Sequence, residues 1–424
     1  MAASDPMPMR PVSVSGLAAR YEAIRAATRA LAESLSPEDA VVQSMPDASP
    51  AKWHLAHTSW FFEAFLLVPH LAGHRIFHPR YGYLFNSYYE SVGARHPRPQ
   101  RGLLTRPSLA EVLAYRAYVD EAMARLLARP LEPDVAALVE LGLNHEQQHQ
   151  ELLLMDIKHL FSLNPLLPAW RESRHAPVPP APPLAFVPRQ AGLVEIGHAG
   201  EGFAFDNELP RHRVHLAAYA LASRPVTNGE YIEFIRAGGY RRPELWLADG
   251  WAAVQREGWE RPLYWQADLA SVFTLAGLRN LDPNELVCHV SWYEADAFAR
   301  WAGARLPTEF EWEAAAAGKP VTGNFLESGR IHPAGSSVPD SEGFVGLFGD
   351  VWEWTASAYA PYPGFRPAPG AVGEYNGKFM ANQYVLRGGC CATPASHLRA
   401  TYRNFFYPHQ RWQFAGIRLA RDTR

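Results

Sequence analysis

Two histidines spaced four residues apart are the clearest chemical feature of this 424-residue sequence. They are His145 and His149, in the run HEQQH, within a segment whose apolar positions follow a helical period. Because residues i and i+4 lie on the same face of a helix, both imidazoles can bind one metal ion. The spacing is that of the zincin motif HExxH, although the flanking sequence differs.

A third metal ligand must come from elsewhere in the chain, and His57 is the best candidate. It lies on a strongly apolar segment between Trp53 and Trp60, and His54, three residues earlier on the same helical face, is its main competitor. Three imidazoles leave up to three positions open on an octahedral iron ion. Imidazole also suits zinc and copper, so the ligand type alone does not select iron, but zinc cannot activate O2 by redox chemistry.

Two pairs of side chains in the segment 70–107 can also take part in chemistry. Arg98 and Arg101 carry planar guanidinium groups, which bind carboxylates well. Tyr88 and Tyr89 carry phenols, which can donate a proton or a hydrogen atom during an oxidation. The simpler interpretations are an exposed basic loop and a pair of packing tyrosines. A long ordered loop in a small bundle is, however, often functional.

Four predicted helices must hold these side chains in place. A serine at position 108 followed by Glu111 forms a capping-box pattern at the start of the third helix. Four helices of this length predict an up-down bundle. Their apolar periodicity extends over residues 16–34, 51–69, 108–129 and 132–163.

A proline-rich stretch at 176–188 predicts a semi-rigid linker after the bundle. Beyond it, short β-like runs and helical pieces alternate with much irregular sequence. The chain is therefore predicted to be an α+β multidomain protein, with a helical domain over 1–170, a linker over 171–188 and a second domain over 189–424. The β-like runs are 193–197, 212–223 and 383–389, and the helical pieces are 228–238 and 291–304.

Composition and charge exclude several classes of function. The formal net charge is −3, with both signs scattered, so we expect no nucleic-acid or membrane surface. The sequence lacks a long apolar run and an apolar signal core, which predicts a cytoplasmic protein. Its three cysteines, Cys288, Cys390 and Cys391, do not make a disulfide framework. We expect small-molecule partners, and the sequence leaves open whether the chain forms a homo-oligomer.

The motifs together resemble one known family. WHLAH at 53–57, followed by HEQQH at 145–149, resembles the DinB-like helical domain of the ergothioneine-biosynthesis sulfoxide synthases, the EgtB family. Three later motifs resemble signatures of the formylglycine-generating-enzyme, or sulfatase-modifying-factor, domain, whose fold is similar to that of C-type lectins. They are RLPTEFEWEAAA at 305–316, GDVWEWTAS at 349–357 and LRGG at 386–389.

This resemblance implies a reaction and a metal centre. Hercynine (Nα-trimethylhistidine) and a cysteine-type thiol react with O2 to give a sulfoxide-linked product, and iron(II) is held by the matching His57, His145 and His149. Tyr88 and Tyr89 match the catalytic tyrosine pair of the cysteine-using branch, and we leave open which of them acts.

The resemblance also assigns substrate-binding roles. Arg98 and Arg101 match residues that hold the carboxylate of the thiol substrate.

Four further residues match positions that bind the family's substrates. Gln148 matches a contact to the hercynine imidazole, and Asn404 and Phe405 match residues at the trimethylammonium-carboxylate end. Phe406 stands where the enzymes that use γ-glutamylcysteine place an acid, so the resemblance favours free cysteine as the donor.

Several alternatives stay open at this point. The same reaction with γ-glutamylcysteine and an ovothiol-type coupling of cysteine to histidine belong to the same chemistry. A zinc-dependent DinB-type thiol transferase would use the three histidines without O2. In the formylglycine-generating enzymes a catalytic cysteine pair lies after the GG of the signature. Here Cys390 and Cys391 follow Gly389 directly and the next positions read ATPASHLRA, so that pair is judged absent and a formylglycine-type oxidase is disfavoured. A lectin-like binding module would leave the histidines unexplained.

Overall fold

The computed structural model of the protein describes residues 14–172, 178–200, 202–335 and 338–423. These residues form two compact units. The first comprises the described chain up to His149, together with His198–Phe205 and Pro369–Glu374. The second comprises Gln150–Gly197, Asp206–Ala368 and Tyr375–Arg424. The first unit is helical and the second mixes helices with sheets, so the predicted α+β class is confirmed.

The predicted helices all form, with ends within a few residues of the predicted ones. The capping box at Ser108 is present, because its side chain accepts a hydrogen bond from Glu111 N–H and the Glu111 carboxylate accepts one from Ser108 N–H. The helices are α1 (Val14–Ala32), α2 (Ala51–Phe62), which continues through a π-helical turn (Glu63–Leu67) into α3 (Val68–His70), then α4 (Tyr81–Phe85), α5 (Leu109–Leu127) and α6 (Pro133–Ser162).

One apolar core joins the four long helices of the first unit. Buried side chains from α1, α2, α5 and α6 contact each other in a single cluster, which is what the 3.6-residue apolar period predicts. Representative members are Leu17, Tyr21, Trp60, Phe61, Val112, Val119, Val139 and Leu143.

The segment 70–107 is ordered by short helices. It contains α4 and two 3-10 turns, Glu90–Val92 and Arg98–Leu103. The side chain of Asn86 braces it, because its Nδ2 donates to the Tyr89 carbonyl and its Oδ1 accepts from Tyr89 N–H, at 2.9 and 3.0 Å. The predicted loop is therefore a compact structure.

The second unit is built from short elements. Its helices beyond α6 are α7 (Asn228–Arg236), α8 (Ala248–Glu257), α9 (Trp292–Trp301) and α10 (Glu309–Ala316). Its strands are β1 (Phe186–Arg189), β2 (Gly192–Ile196), β3 (His212–Leu216), β4 (Tyr219–Ala222), β5 (Ser271–Thr274), β6 (Gly277–Asn280), β7 (Trp352–Ala358), β8 (Tyr384–Arg387), β9 (Asn404–Phe406), β10 (Ala415–Gly416) and β11 (Ala420–Asp422).

The strands form two small sheets and two hairpins. One sheet has the order β1-β4-β11 and the other β10-β7-β8-β9, while β2-β3 and β5-β6 pair as hairpins. All pairs are antiparallel except β10 with β7. The strand β9, which carries Asn404, is an edge strand and pairs Leu386 with Asn404.

Buried ion pairs explain the acidic residues of the motif at 305–316. Glu309 is buried and accepts hydrogen bonds from Arg387 and Arg403, at 2.8 Å in each case. Glu311 completes the capping box of Thr308 and also pairs with Arg305. These carboxylates hold α10 against neighbouring strands and loops, so the motif is structural.

The predicted linker overlaps the first strand of the second unit. Of the linker, residues 173–177 lie outside the described residues, and β1 begins at Phe186, within the range given to the linker. The compact units divide within α6, between His149 and Gln150. The boundaries at 170 and 188 stay a prediction. In the described parts of the chain, none of the helices combines the length and apolarity needed to cross a membrane.

Candidate metal centre

Two helices of the first unit carry the three predicted metal ligands. His57 lies on α2, and His145 and His149 lie one turn apart on α6. Gly142 allows the helices to approach closely, because a Cβ atom there would lie 2.7 Å from the ring of Phe62. The missing side chain therefore helps to bring the two ligand-bearing faces together.

The three imidazoles converge in the interior of the bundle. One nitrogen from each of His57, His145 and His149 lies within 4.8 Å of the others. The Nε2 atoms of His57 and His145 are 3.1 Å apart, and His149 has ring-centroid distances of 4.6 Å to both partners. The three residues are 0%, 2% and 8% exposed in chain order, so the nitrogens face each other away from water.

Burial keeps these histidines neutral. It lowers the pKa of His145 to about 4 and lowers the pKa values of His57 and His149 well below the usual range. For His57 and His149, the neighbouring His145 lowers the pKa further. A neutral imidazole offers a lone pair on one nitrogen, which is the form that binds a metal.

A backbone carbonyl selects which nitrogen of His57 carries that lone pair. The Nδ1 atom of His57 lies 2.6 Å from the carbonyl oxygen of Phe85. Because a carbonyl can only accept, Nδ1 must carry the proton, and Nε2 presents its lone pair to His145 and His149. Orientation of a ligating imidazole by such a hydrogen bond is typical of metal sites.

The donor set therefore fits a divalent transition metal. It consists of three neutral, buried nitrogen donors, and these histidines form the group without a thiolate or carboxylate. Such a set suits iron, copper or zinc, whereas Mg²⁺ and Ca²⁺ prefer oxygen ligands.

Aromatic rings enclose His57 on two sides. Trp53 stacks on its imidazole at 4.6 Å and an interplanar angle of 12°, and Trp60 stacks at 5.7 Å. The guanidinium of Arg101 lies 3.4 Å from the centroid of Trp53, and its Nη1 donates to Ser49 Oγ at 2.9 Å. The buried Arg101 cation is thus stacked on the same tryptophan that covers His57.

The two predicted carboxylate-binding arginines differ in their surroundings. Arg101 is buried, whereas Arg98 is exposed and donates to the carbonyl oxygen of Asp47. The positive charge of Arg101 is close enough to contribute, after burial and the neighbouring histidines, to the lowered pKa of His149. The structure therefore brings Arg101, and not Arg98, towards the histidine group, while the substrate-binding role of both stays a prediction.

The two tyrosines also differ. Tyr89 is buried, with its ring 5.8 Å from Trp60 and 5.1 Å from Phe65, while Tyr88 is half-buried and lies 4.7 Å from Tyr89. Burial raises the pKa of Tyr89 above its ordinary value, so its phenol stays protonated at neutral pH. Because Trp60 contacts both Tyr89 and His57, one ring lies between Tyr89 and the candidate ligand His57.

The loop that carries these tyrosines is fixed by an acid from a distant part of the sequence. The carboxylate of Glu374 accepts hydrogen bonds from the N–H groups of Glu90 and Ser91, both at 3.0 Å, and from the Ser91 hydroxyl. This contact caps the 3-10 turn that directly follows Tyr89. Sequence reasoning did not find it, since nothing local to Glu374 indicates a partner 283 residues away.

Glu146 does not act as the glutamate of a zincin motif would. It is fully buried, and its carboxylate pairs with Arg25 at 2.9 Å and with Arg116. Burial alone would raise its pKa, but the charges of Arg116 and Arg25 outweigh this and lower the pKa to about 2. Both carboxylate oxygens are engaged by arginines, so Glu146 is not available as a general base.

This network also holds the ligand-bearing part of α2. Arg116 donates to Thr58 Oγ1 at 3.1 Å, and Arg25 donates to Ser59 Oγ at 2.9 Å. Thr58 and Ser59 directly follow His57, and Glu146 directly follows His145. Arg25 and Arg116 therefore fix the backbone next to two of the candidate metal ligands. The sequence analysis did not identify either arginine.

The remaining predicted substrate contacts lie on two elements. Gln148 is half-buried on α6, one turn after His145. In the second unit, Asn404 Oδ1 accepts from Phe405 N–H at 2.9 Å, and Phe405 stacks on Tyr359 at 4.1 Å. Phe406 meets Trp412 edge-on at 5.7 Å. All four residues are half-buried, and their roles stay predictions.

The cysteines of the second unit do not form a reactive pair. Cys288, Cys390 and Cys391 are buried, and burial raises the pKa of each thiol. Thiols of this kind are inert compared with the thiolates that catalyse redox reactions.

Comparison with known proteins agrees with this architecture. A family model of the DinB superfamily matches residues 20–153, and one of the sulfatase-modifying factor enzyme 1-like domain matches residues 175–423. The chain thus combines a DinB-type helical domain, which carries the three histidines, with a sulfatase-modifying-factor domain. Both domain assignments made from the motifs are confirmed.

Full-length relatives narrow this class to one family. The chain is 33% identical over 402 residues to a hercynine oxygenase of Mycobacterium tuberculosis, covering 89% of this chain and 92% of that one. It is 34% identical over 417 residues to a hercynine oxygenase of Mycolicibacterium thermoresistibile, covering 89% and 88%. A formylglycine-generating enzyme of Streptomyces coelicolor is 28% identical over 279 residues, covering 53% and 84%. The chain belongs to the hercynine oxygenase family.

Proposed function

We propose that this protein is an iron(II)-dependent sulfoxide synthase that joins cysteine to the imidazole carbon of hercynine with O2, in ergothioneine biosynthesis. In this reaction the imidazole C–H and thiol S–H bonds break and a C–S bond forms. One oxygen atom enters the sulfoxide and the other leaves as water. The observation that carries the proposal is the convergence of His57, His145 and His149 in a member of the hercynine oxygenase family.

The metal would be held by these three histidines. Iron, when bound, supplies the redox chemistry that activates O2, which zinc lacks. The chain's own contribution is to keep the imidazoles neutral by burial and to keep Nε2 of His57 directed inward through its bond to Phe85. Trp53 and Trp60 keep water away from His57.

Arg101 is the better supported of the two proposed thiol-substrate contacts. It is a buried guanidinium near the histidine group, and a buried cation is a strong binding partner for a carboxylate. Arg98 would have to release the Asp47 carbonyl to bind substrate. The apolar Phe406, at a position where an acid would help to bind a longer donor, supports free cysteine over γ-glutamylcysteine.

Tyr89 and Tyr88 are proposed to supply the proton or hydrogen atom that directs the oxidation to the sulfoxide. A protonated, buried phenol next to Trp60 supports Tyr89, while the half-buried Tyr88 is in ring contact with it. Gln148, Asn404 and Phe405 are proposed to bind hercynine, on the basis of the family resemblance. We retain the sequence-based prediction of a cytoplasmic location.

Metal-dependent O2 uptake tests the proposal. Apoprotein would be loaded anaerobically with iron(II) or zinc and mixed with hercynine and cysteine, and oxygen consumption and product mass would be followed. We expect a sulfoxide-linked product with iron only. His145→Ala should abolish both metal binding and product, whereas His70→Ala, an exposed histidine outside the group, should change neither.

Parallel substrates separate the related reactions. Product with γ-glutamylcysteine but not with cysteine would overturn the donor assignment alone. Efficient coupling of histidine in place of hercynine would indicate an ovothiol-type reaction. Thiol transfer by the zinc-loaded protein, with no O2 uptake by the iron-loaded protein, would contradict the proposed function and favour the DinB-type transferase.

A further inference from the structure

His54 is a buried histidine that the proposed metal centre does not use. It lies on α2, three residues before His57, and only 3% of its surface is exposed. Its Nδ1 atom lies 2.8 Å from Nδ1 of His149. The ring nitrogens that converge into one ligand group belong to His57, His145 and His149, and His54 is not among them.

We propose that His54 is a positioning residue that selects the tautomer of His149 and fixes the orientation of its ring. This proposal rests on the proposed metal centre. A hydrogen bond between two Nδ1 atoms requires that one of them carries the proton and the other a lone pair. For His149 to present Nε2 to a metal, its Nδ1 must be the protonated atom, and Nδ1 of His54 is then the acceptor.

The contact is therefore the counterpart of the one that orients His57. There the acceptor is the carbonyl of Phe85, which no side-chain substitution can remove. For His149 the acceptor is a side chain, held in place by the helix and by edge contact with Trp53, at 5.8 Å and 81°. Hydrogen-bond partners of ligating histidines fix both tautomer and ring direction.

His54 is not a fourth ligand in the proposed arrangement. Its two ring nitrogens point in divergent directions, and its Nδ1 atom is directed at Nδ1 of His149. The same nitrogen of His149 cannot both contact His54 and bind the ion. His54 thus acts on the metal only through His149.

Two substitutions of His54 separate an acceptor role from a packing role. His54→Asn keeps an acceptor oxygen close to the position of Nδ1, whereas His54→Leu fills similar space without an acceptor. His70→Leu, on α3 and exposed, controls for the loss of a histidine elsewhere. Melting of the three apoproteins would show that each is folded before metal is added.

Metal affinity and ligand field are the readouts. Iron(II) binding would be measured anaerobically against a chelator, and cobalt(II) would report the ligand field through its visible absorption bands. Removal of an outer hydrogen-bond partner typically weakens metal binding about 10- to 100-fold. We expect this loss and altered cobalt bands in His54→Leu, with affinity restored to within about threefold of the parent in His54→Asn.

Each contrary outcome is distinct. Parent-like affinity and bands in folded His54→Leu would overturn the positioning role. Equal loss in His54→Asn, His54→Leu and His149→Ala would show that His54 is itself a ligand and would also overturn it. A parent protein that binds neither metal would overturn both proposals, whereas metal binding without substrate coupling would overturn the proposed reaction alone.

Discussion

Removal of the charge of Glu146 tests the role of the second residue in the HEQQH motif. Glu146→Gln keeps the size and shape of the side chain but leaves the buried guanidinium groups without their shared anion. Arg25 retains Asp120, to which its Nε donates at 2.6 Å. Among the described residues, the partners that Arg116 retains at hydrogen-bond distance are neutral, namely Thr58 and the carbonyls of Leu55 and Arg25.

The expected loss of stability follows from this imbalance. Removing one partner of a buried ion pair costs about 3–5 kcal/mol, because the other charge stays buried without compensation. We expect about 3 kcal/mol for Glu146→Gln, since Arg25 keeps its bond to Asp120. For a domain of this size that corresponds to a fall of about 6–12 °C in the melting temperature of the helical unit.

A matched control exists on the same two helices. Arg20 and Glu140 also join α1 to α6, at 2.7 Å, but the Arg20 side chain is 38% exposed. Exposed ion pairs contribute about 0–1 kcal/mol. Glu140→Gln should therefore lower the melting temperature by at most a few degrees. The assay is thermal unfolding of parent and both variants, followed by far-ultraviolet circular dichroism.

Activity of the folded variant distinguishes the structural role from a catalytic one. A general base contributes about 10²–10⁴-fold to a rate. If Glu146 served as such a base, Glu146→Gln would keep its melting temperature and lose at least about 100-fold in kcat per bound metal. That result would refute the reasoning from the arginine network, as would equal melting temperatures of the Glu146 and Glu140 variants.

Three further outcomes are expected. Tyr89→Phe or Tyr88→Phe should raise cysteine sulfinate relative to the sulfoxide product in mass-spectrometric assays, and unchanged ratios in both would contradict a role in directing the oxidation. Gly142→Ala should lower iron affinity and thermal stability together, because its Cβ would meet the Phe62 ring at 2.7 Å; parent-like values would show that the helices can separate freely. Burial lowers the pKa of Lys158 from 10.5 to about 8. The buried ammonium therefore destabilises the folded state below pH 8. This destabilisation decreases as the pH rises towards 10.5, because the folded protein has then lost a proton that the unfolded chain still binds. The parent should gain about 3 kcal/mol relative to Lys158→Met over that interval in urea unfolding, and a constant difference would exclude this titration.

The helical unit could be predicted from sequence because its signals are local. The apolar period of each helix, the capping box at Ser108 and the spacing of His145 and His149 each depend on residues within a few positions of one another. The π-helical turn after α2 could not be predicted in this way. It contains Glu63, whose carboxylate accepts from Tyr115 Oη at 2.6 Å and from Phe77 N–H at 2.9 Å, and both partners are distant in the sequence.

The supporting residues of the metal centre escaped prediction for the same reason. Arginine is usually a surface residue, so the sequence gives no reason to bury Arg25 and Arg116. The packed bundle shows that both are buried beside Glu146. Arg98 and Arg101 look equivalent in the sequence and both lie in the 3-10 turn Arg98–Leu103, yet Arg98 is exposed whereas Arg101 is buried and stacks on Trp53. Residue type and spacing identify candidate site residues, whereas the packing of the folded chain determines which of them lie near the histidines.

The three candidate ligand histidines are each positioned by a different neighbour. His57 is oriented by a backbone carbonyl, His145 adjoins the arginine-paired Glu146, and His149 contacts a second histidine. Folding already bears the desolvation of these imidazoles, since burial keeps them neutral in the absence of metal. A metal that enters therefore meets neutral imidazoles, so its binding at neutral pH requires no net loss of protons from these histidines, and hydrogen bonds already orient His57 and His149.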